Sequence, residues 1–435
     1  MGVRVRSSAS TYSCAVQTAS YGRCRSFELT LIRGLAIRRF RTEGLISYKE
    51  VEYPVCASFI TSACMRNRSS MRLFALSLLF HLRHAFVTAA SSCACSSLVI
   101  PVHVDTLVPK DPTDAFGGLK SNASSLRRVD ETYDIYGVFC RPDTVSPNTS
   151  DVLQLLVHGF SYTSQYWSPP AEEFRNYSYT AYSCDRGLSS LAIDLQGVGL
   201  SSRPLNASDV QYPTCAATLS ELARNLKNAS ILPGVPPFKK IIGIGHSAGS
   251  GFLNFEAIVE GAQSPFDGLI LTSAITVPAS AIPPLSAAPS ARDDDPVRWG
   301  ALEPAYITFS DPVRALFYPT DSTAFSPRMV TFDDYTKDVG TVSTYLQTPL
   351  AAQATAQYTG PVAKIVGSED QVLCAGTDRC VNVTALTATE KVSWPAAQSF
   401  EVVVLQGSGH SMNLDFLANG AFDTFVKFVN QFAGL

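Results

Sequence analysis

The chain has 435 residues, of which 46% are apolar and 16% charged, so it can bury a large core and is not a disordered polypeptide. Its net charge of −3 gives no electrostatic reason to expect nucleic acid or an anionic membrane as a partner. The charge is uneven, because residues 1–70 contain eleven Lys or Arg and only four Asp or Glu.

A signal-like segment follows this basic stretch. Met71 and Arg72 precede an apolar run over residues 73–80, and small residues occupy 88–92. Such a segment is typical of a secretory signal peptide. A membrane anchor is the less favoured interpretation, because the apolar run is too short to span a bilayer. We expect a signal peptide over 71–90 and a secreted, extracellular protein. Residues 1–70 would then be a basic extension created by a wrong gene start; a basic pro-segment or transit-like leader is the alternative.

Glycosylation motifs and cysteines also indicate export. Six Asn-x-Ser/Thr sequons follow the signal-like segment, at Asn122, Asn148, Asn176, Asn206, Asn228 and Asn382. Seven cysteines follow residue 90, namely Cys93, Cys95, Cys140, Cys184, Cys215, Cys374 and Cys380. They suit disulfides in an oxidising compartment, and their spacing does not indicate a metal site. Cys374 and Cys380 flank a short loop and are expected to bridge.

From residue 98 onward, short apolar runs alternate with amphipathic ones, as in α/β proteins. Two early strands, 98–105 and 133–140, have no helical pattern between them and predict an antiparallel start to a sheet. Six further strands have the β-branched and Leu-rich sequences of parallel strands covered on both faces: 152–157, 191–195, 240–244, 268–272, 362–366 and 401–405.

One interval breaks this alternation. About ninety residues separate the strand ending at 272 from the one beginning at 362, and residues 278–297 are rich in Pro, Ala and Ser. A structureless loop of that length is improbable in a compact domain. We therefore predict an inserted, mostly helical lid over residues 277–357, between core segments 91–276 and 358–435.

The central motif is Gly245-His246-Ser247-Ala248-Gly249, directly after an apolar strand and before an apolar-striped helix. This G-x-S-x-G pattern is that of a nucleophile elbow, in which small neighbours allow a sharp strand-to-helix turn. The same residues also match a dinucleotide-binding fingerprint, but the acidic residue expected at the end of the next strand is absent. We expect Ser247 to be a nucleophile and no cofactor to be bound.

A serine nucleophile needs a base. Of the four histidines after the signal-like segment, His103 lies in the first strand, His158 in another loop, and His246 beside the nucleophile. His410 follows the last strand in a glycine-flanked loop, where a base can reach over the edge of the sheet. Position and elimination both select His410 as the base.

The base in turn needs an orienting carboxylate. The strand 362–366 is followed by Gly367-Ser368-Glu369-Asp370, which lies between the nucleophile and the histidine in the chain, the order expected after a nucleophile elbow. Asp370 is preferred, with Glu369 as the alternative. At the end of strand 152–157, His158-Gly159-Phe160 offers a backbone N–H that could face a tetrahedral oxygen alongside the N–H of Ala248.

Together these motifs resemble the α/β-hydrolase superfamily over about residues 98–435, and the stretches 139–142 and 153–159 are similar to secreted fungal members. The resemblance implies a mostly parallel eight-stranded sheet with helices on both faces and an inserted helical lid. It also implies two-step acyl transfer, with Phe160 and Ala248 amides forming the oxyanion hole. The long N-terminal extension departs from the family pattern.

The family's sheet places the second strand antiparallel beside the fourth. This arrangement would bring the end of the predicted strand 133–140 close to Cys184, so we expect a Cys140–Cys184 disulfide. Pairing of Cys184 with Cys215 is the alternative.

The predicted function is a secreted serine hydrolase that cleaves a small, apolar carboxylic ester with water as the second substrate. A serine at the nucleophile position argues against relatives that open epoxides or displace halide with an aspartate. Amides, thioesters, lactones and cofactor-free peroxidase chemistry stay open. An alternative of another class is a catalytically silent α/β-hydrolase fold that serves as an extracellular binding module.

Overall fold

The computed structural model describes residues 12–20, 23–31, 93–113, 123–143, 146–276, 284–347, 357–375, 377 and 379–435. The chain divides into two units, Met1–Leu82 and Arg83–Leu435. In the first unit, strands Tyr12–Ser20 and Arg23–Leu31 pair antiparallel. The predicted signal peptide, 71–90, lies outside the described residues.

The second unit is built on an eight-stranded sheet. Its strands are β1 (Cys93–Pro109), β2 (Leu126–Pro142), β3 (Val152–Val157), β4 (Ser189–Ile193), β5 (Lys240–His246), β6 (Gly268–Thr272), β7 (Val362–Gly367) and β8 (Phe400–Leu405). Their spatial order is β1-β2-β4-β3-β5-β6-β7-β8, and only the β1–β2 and β2–β4 pairs are antiparallel. The predicted mostly parallel sheet with an antiparallel start is confirmed.

Both early strands extend further than the sequence suggested. β1 and β2 pair residue by residue from Cys93↔Pro142 to Pro109↔Leu126. Buried and exposed side chains alternate along much of both strands, so their ends lack the continuous apolar run that marks a buried strand. Pairing with a neighbour, rather than burial on both faces, defines these strand ends.

Helices cover both faces of the sheet, as predicted. They are α1 (Tyr179–Cys184), α2 (Tyr212–Asn228), α3 (Ala248–Glu260), α4 (Ala291–Asp294), α5 (Pro296–Trp299), α6 (Asp311–Ala315), α7 (Pro327–Thr336), α8 (Val342–Gln347), α9 (Val383–Lys391) and α10 (Ala418–Ala433). Leu153 and Leu155 belong to one buried cluster with α2 and α3, whereas Leu156 belongs to a second with α1 and α10. This separation follows from the alternation of side chains along a strand.

Residues 284–347, called the inserted segment below, lie between β6 and β7 in the chain. They contain the five short helices α4–α8 and a two-stranded pairing of Tyr306–Ile307 with Gly340–Thr341. The rest of the predicted lid, 277–283 and 348–356, lies outside the described residues. In the described ranges, none of the helices has both the length and the apolar character required to cross a bilayer.

The predicted Cys140–Cys184 disulfide is wrong. Cys140 bridges Cys95, its direct partner in the β1–β2 register, and Cys184 bridges Cys93. The error arose from starting β1 at residue 98, which left Cys93 and Cys95 outside the sheet. The longer strand places both cysteines beside the end of β2, where Cys95 bridges Cys140 of β2 and Cys93 bridges Cys184 at the end of α1.

The remaining cysteines of the second unit are one bridged pair and one free thiol. Cys374 and Cys380 are bridged, which confirms that prediction. Cys215 is a buried free thiol on α2, so the alternative pairing of Cys184 with Cys215 is also wrong.

These connectivities predict a distinctive peptide map. No Lys or Arg separates Cys93 from Cys95, so the two observed bridges join three tryptic peptides into one disulfide-linked species. Non-reducing digestion followed by mass spectrometry should recover that species. A two-peptide species that contains only Cys140 and Cys184 would contradict the structure.

A buried carboxyl group on α3 predicts pH-dependent stability. Glu256 is fully buried and accepts hydrogen bonds from the hydroxyls of Ser220 and Ser264. Burial raises its pKa from the ordinary value of 4.5 to about 7. The folded chain therefore binds more protons than the unfolded chain between these pH values, and this contribution to stability is lost as the pH rises through about 7.

We expect Glu256→Gln to raise the free energy of unfolding at pH 8 by about 2–3 kcal/mol and to change it little at pH 4. Urea unfolding at both pH values measures this. Glu221→Gln, which removes a half-exposed carboxylate from α2, is the matched control and should show no such pH dependence. An equal gain from Glu256→Gln at both pH values would contradict the burial argument.

Candidate active site

Ser247 sits at the sharp turn between β5 and α3. Its backbone has φ 49° and ψ −114°, a conformation that costs free energy for a residue with a side chain. The turn requires small neighbours, since a Cβ on Gly245 would lie 2.5 Å from the Ser250 nitrogen. A Cβ on Gly249 would collide with the carbonyl oxygens of Val157 and His158. The G-x-S-x-G spacing is therefore a steric requirement of this turn.

The loop after β8 brings His410 to the serine. Its Nε2 lies 2.9 Å from Ser247 Oγ, and its Nδ1 lies 2.8 Å from Asp370 Oδ2. A carboxylate can only accept, so Nδ1 carries the proton and Nε2 of the neutral ring is free to accept from the serine hydroxyl. Asp370 and His410 are both buried.

The two acidic residues after β7 have different surroundings. Asp370 is 1% exposed, and its Oδ1 accepts the backbone N–H groups of Val372 and Leu373. Glu369 is exposed, and its carboxylate accepts a hydrogen bond from Thr320. The structure therefore brings Asp370, and not Glu369, to His410.

The histidine loop is fixed by two side chains that the sequence analysis did not single out. Ser273 donates to the carbonyl of His410 at 2.5 Å. Asp415 accepts from the Ser408 hydroxyl and the Gly409 N–H. Burial raises the pKa of Asp415 to about 6, so this support can titrate near neutral pH. Nothing local in the sequence distinguishes these two residues from ordinary loop residues.

Positive φ at residues other than glycine is found in the loops around this site. Within the described ranges, the residues other than glycine with positive φ are Ser161, Ser247 and Ser273. Each belongs to a different loop: one after β3, one after β5 and one after β6. Strained residues of this kind persist where surrounding contacts hold them, which is common at active sites.

The loop after β3 is held by a buried histidine. Leu195 N–H donates to His158 Nε2 at 3.1 Å, so the other nitrogen, Nδ1, carries the proton and donates to the Gly159 carbonyl at 2.8 Å. Burial lowers the pKa of His158, which keeps the ring neutral as this arrangement requires. The Gly159 carbonyl and the Phe160 N–H share one peptide plane, so the histidine also sets the direction of that N–H.

Phe160 and Ala248 are the two positions expected to supply oxyanion donors. Among the described residues, no backbone hydrogen bond from either amide is present. Ala248 begins α3, where the first N–H groups of a helix have no partner within the helix. Both amides are therefore available to a developing negative charge.

Aromatic rings from the inserted segment surround this arrangement. The ring of Phe317 lies 5.4 Å from that of His410, and Phe160 packs against Phe309 and Tyr345 at 4.9 and 5.5 Å between ring centroids. The inserted segment therefore packs against both the histidine loop and the loop after β3.

A sequence model described as the alpha/beta hydrolase family matches residues 154–419, more than half of the chain. The chain belongs to the alpha/beta hydrolase family. No curated protein sequence matches it.

Solved structures similar to this alpha/beta hydrolase include enzymes of different activity. An esterase from Thermogutta terrifontis has 14% identity and a TM-score of 0.47, over 77% of this chain and 99% of that one. An esterase from Exiguobacterium antarcticum has 16% identity and a TM-score of 0.46, over 68% and 96%. An epoxide hydrolase from Vigna radiata has 17% identity and a TM-score of 0.43, over 69% and 95%. These similarities do not select a reaction for the alpha/beta hydrolase described here.

Proposed function

We propose that this alpha/beta hydrolase is a serine hydrolase that cleaves a carboxylic ester. The observation that carries the proposal is the continuous hydrogen-bonded series Ser247 Oγ, His410 Nε2, His410 Nδ1 and Asp370 Oδ2, with spacings of 2.9 and 2.8 Å. These distances lie within the range required for a serine and its base. A serine in this position forms a covalent acyl intermediate rather than the alkyl intermediate of an aspartate nucleophile.

The chemistry proceeds in two steps. His410 takes the proton of Ser247 as its oxygen attacks the ester carbonyl, and Asp370 stabilises the imidazolium that forms. The amides of Phe160 and Ala248 stabilise the tetrahedral oxyanion. The protonated His410 gives its proton to the leaving alcohol. A water activated by His410 then releases the acid from the acyl-enzyme.

Labelling with a fluorophosphonate probe tests the serine nucleophile, since such probes require an activated serine. A panel of p-nitrophenyl esters from acetate to laurate, alongside peptide anilides, thioesters and lactones, then identifies the bond that is cleaved. We expect labelling and fastest turnover on an ester. A folded chain that neither labels nor turns over any member of the panel would favour the silent binding module.

We further propose that the substrate is a small apolar ester. The aromatic side chains of Phe160, Phe309, Phe317 and Tyr345 beside the histidine and the loop after β3 support this. The same panel tests it, because a preference for charged or strongly polar acyl groups would contradict the proposal.

Secretion is also part of the proposal. The three disulfides seen in the described part of the chain suit an oxidising compartment, and five sequon asparagines are exposed: Asn148, Asn176, Asn206, Asn228 and Asn382. Asn122 lies outside the described residues. The signal-like sequence at 71–90 and the resemblance to secreted fungal members support the same location. N-terminal sequencing of protein recovered from culture medium should find a start near Ser91; residues 1–70 on that protein would refute the start-site argument.

A further inference from the structure

Besides the ring contacts of Phe160, the loop after β3 is tied to the inserted segment by two hydrogen bonds at Ser161. Arg314 Nη1 donates to Ser161 Oγ at 2.9 Å, and the Asp338 N–H donates to the Ser161 carbonyl at 2.9 Å. Ser161 has φ 59°, which a serine adopts only at a cost in free energy. Both of these hydrogen bonds to Ser161 therefore come from outside its own loop.

The conformation of Ser161 bears on the neighbouring amide. The loop closes as a turn in which the Tyr162 N–H donates to the Gly159 carbonyl at 3.2 Å, with Phe160 and Ser161 between them. That carbonyl shares its peptide plane with the Phe160 N–H. If Ser161 relaxed out of its left-handed conformation, the turn would change and His158 alone would be left to direct the Phe160 N–H.

Arg314 is itself part of a buried cluster. It is 4% exposed, its Nη2 lies 2.5 Å from Asp333 Oδ1, and the Tyr318 hydroxyl donates to the other carboxylate oxygen at 2.9 Å. The free energy lost in removing two charges from water is about as large as the attraction between them in the interior. A contribution to stability is therefore a weak explanation for the buried Arg314–Asp333 pair. A guanidinium held in this way presents its Nη1 group in a fixed direction, towards Ser161.

We propose that Arg314 is a positioning residue for the oxyanion hole, acting through its hydrogen bond to Ser161. The bond holds the turn in which the Phe160 N–H faces the oxygen of the tetrahedral intermediate. This inference rests on the proposed acyl-transfer function. On this proposal the inserted segment takes part in transition-state stabilisation.

Ser161→Ala tests the bond with the least disturbance, because it removes the acceptor and leaves the Arg314–Asp333 pair intact. With p-nitrophenyl butyrate we expect kcat to fall by at least about tenfold and KM to stay within about twofold, since a misdirected donor weakens the transition state and not the substrate complex. Affinity for an alkyl trifluoromethyl ketone, which forms a tetrahedral adduct with the serine, should fall by the same factor as kcat.

Tyr318→Phe is the matched control. It removes a hydrogen bond to the same Asp333 carboxylate but leaves the Arg314–Ser161 bond in place, so kcat should stay within about twofold. The double variant Arg314→Met/Asp333→Leu removes both charges together and avoids an unpaired buried carboxylate. It should reproduce the kcat loss of Ser161→Ala, and adding Ser161→Ala to it should cause no further loss.

The parent protein is labelled with the fluorophosphonate first. A parent that does not label overturns the proposed function and this inference with it. If the parent is labelled but Ser161→Ala has a kcat and a ketone affinity within about twofold of the parent values, only this inference is overturned. If Ser161→Ala does not fold, the kcat and ketone affinity of Arg314→Met/Asp333→Leu are compared with the parent values in its place, with the same twofold limit.

Discussion

Ser247→Ala should lower kcat for the best ester by about a million-fold and abolish fluorophosphonate labelling. The substitution removes the oxygen that would bond to the acyl carbon, and no other described hydroxyl is hydrogen-bonded to His410 Nε2. The amides of Phe160 and Ala248 would still stabilise an oxyanion, so a small residual rate by direct water attack is expected. Initial rates of p-nitrophenol release measure the effect.

The fold should survive this substitution. Alanine is small enough for the same turn, and the only hydrogen bond of the Ser247 side chain that is described, the one to His410, is partly buried. Ser250→Ala, in the first turn of the helix that follows Ser247, is a matched control, since the Ser250 hydroxyl donates to the Thr272 carbonyl and not to the histidine. It should keep activity within about tenfold. Retained esterase activity in purified Ser247→Ala would refute the nucleophile assignment.

Asp370→Asn should lower kcat by about ten-thousand-fold with little change in structure. Oδ1 of residue 370 accepts two backbone N–H groups, so the asparagine carbonyl would stay there and its NH₂ would face His410 Nδ1. Nδ1 would then have to accept, which places the proton on Nε2 and leaves no acceptor for the Ser247 hydroxyl. The loss should therefore appear in kcat, with substrate binding preserved.

Glu369→Gln is the control for this experiment, since it is one residue away, carries the same charge and contacts Thr320 instead of the histidine. Its kcat should stay within about twofold of the parent. The reverse order of effects, with Glu369→Gln inactive and Asp370→Asn active, would identify Glu369 as the orienting acid.

Much of the sheet was predictable because its signals are local. Six strands stand out as short runs of β-branched and Leu residues, and their predicted bounds differ from the observed ones by two residues at most. Five of them are buried along almost their whole length, whereas β8, at the edge of the sheet, is half-buried. The turn at Ser247 is equally local. The atoms that leave no room for a side chain at the two flanking glycines lie within a few residues or at the end of the adjacent strand. The chain order of serine, acid and histidine then limited the choice of partners.

The ends of β1 and β2 were missed because their definition depends on pairing and not on apolar sequence. That omission removed Cys93 and Cys95 from consideration and led to the wrong partner for Cys140. A disulfide depends on two Cα atoms meeting within a few ångströms, and a shift in where a strand begins is enough to change which atoms meet.

The supports of the site were decided by the tertiary structure alone. Arg314 and Ser161 are 153 residues apart in the chain, and Ser273 and His410 are 137 apart. No spacing rule connects such residues, because their meeting depends on how the inserted segment and the strand-end loops pack. The sequence by itself determined the strand cores and the steric demands of the nucleophile turn, which are set by near neighbours along the chain or across the sheet. Packing between distant segments determined which carboxylate meets the histidine, which cysteines pair and what holds the strained loops.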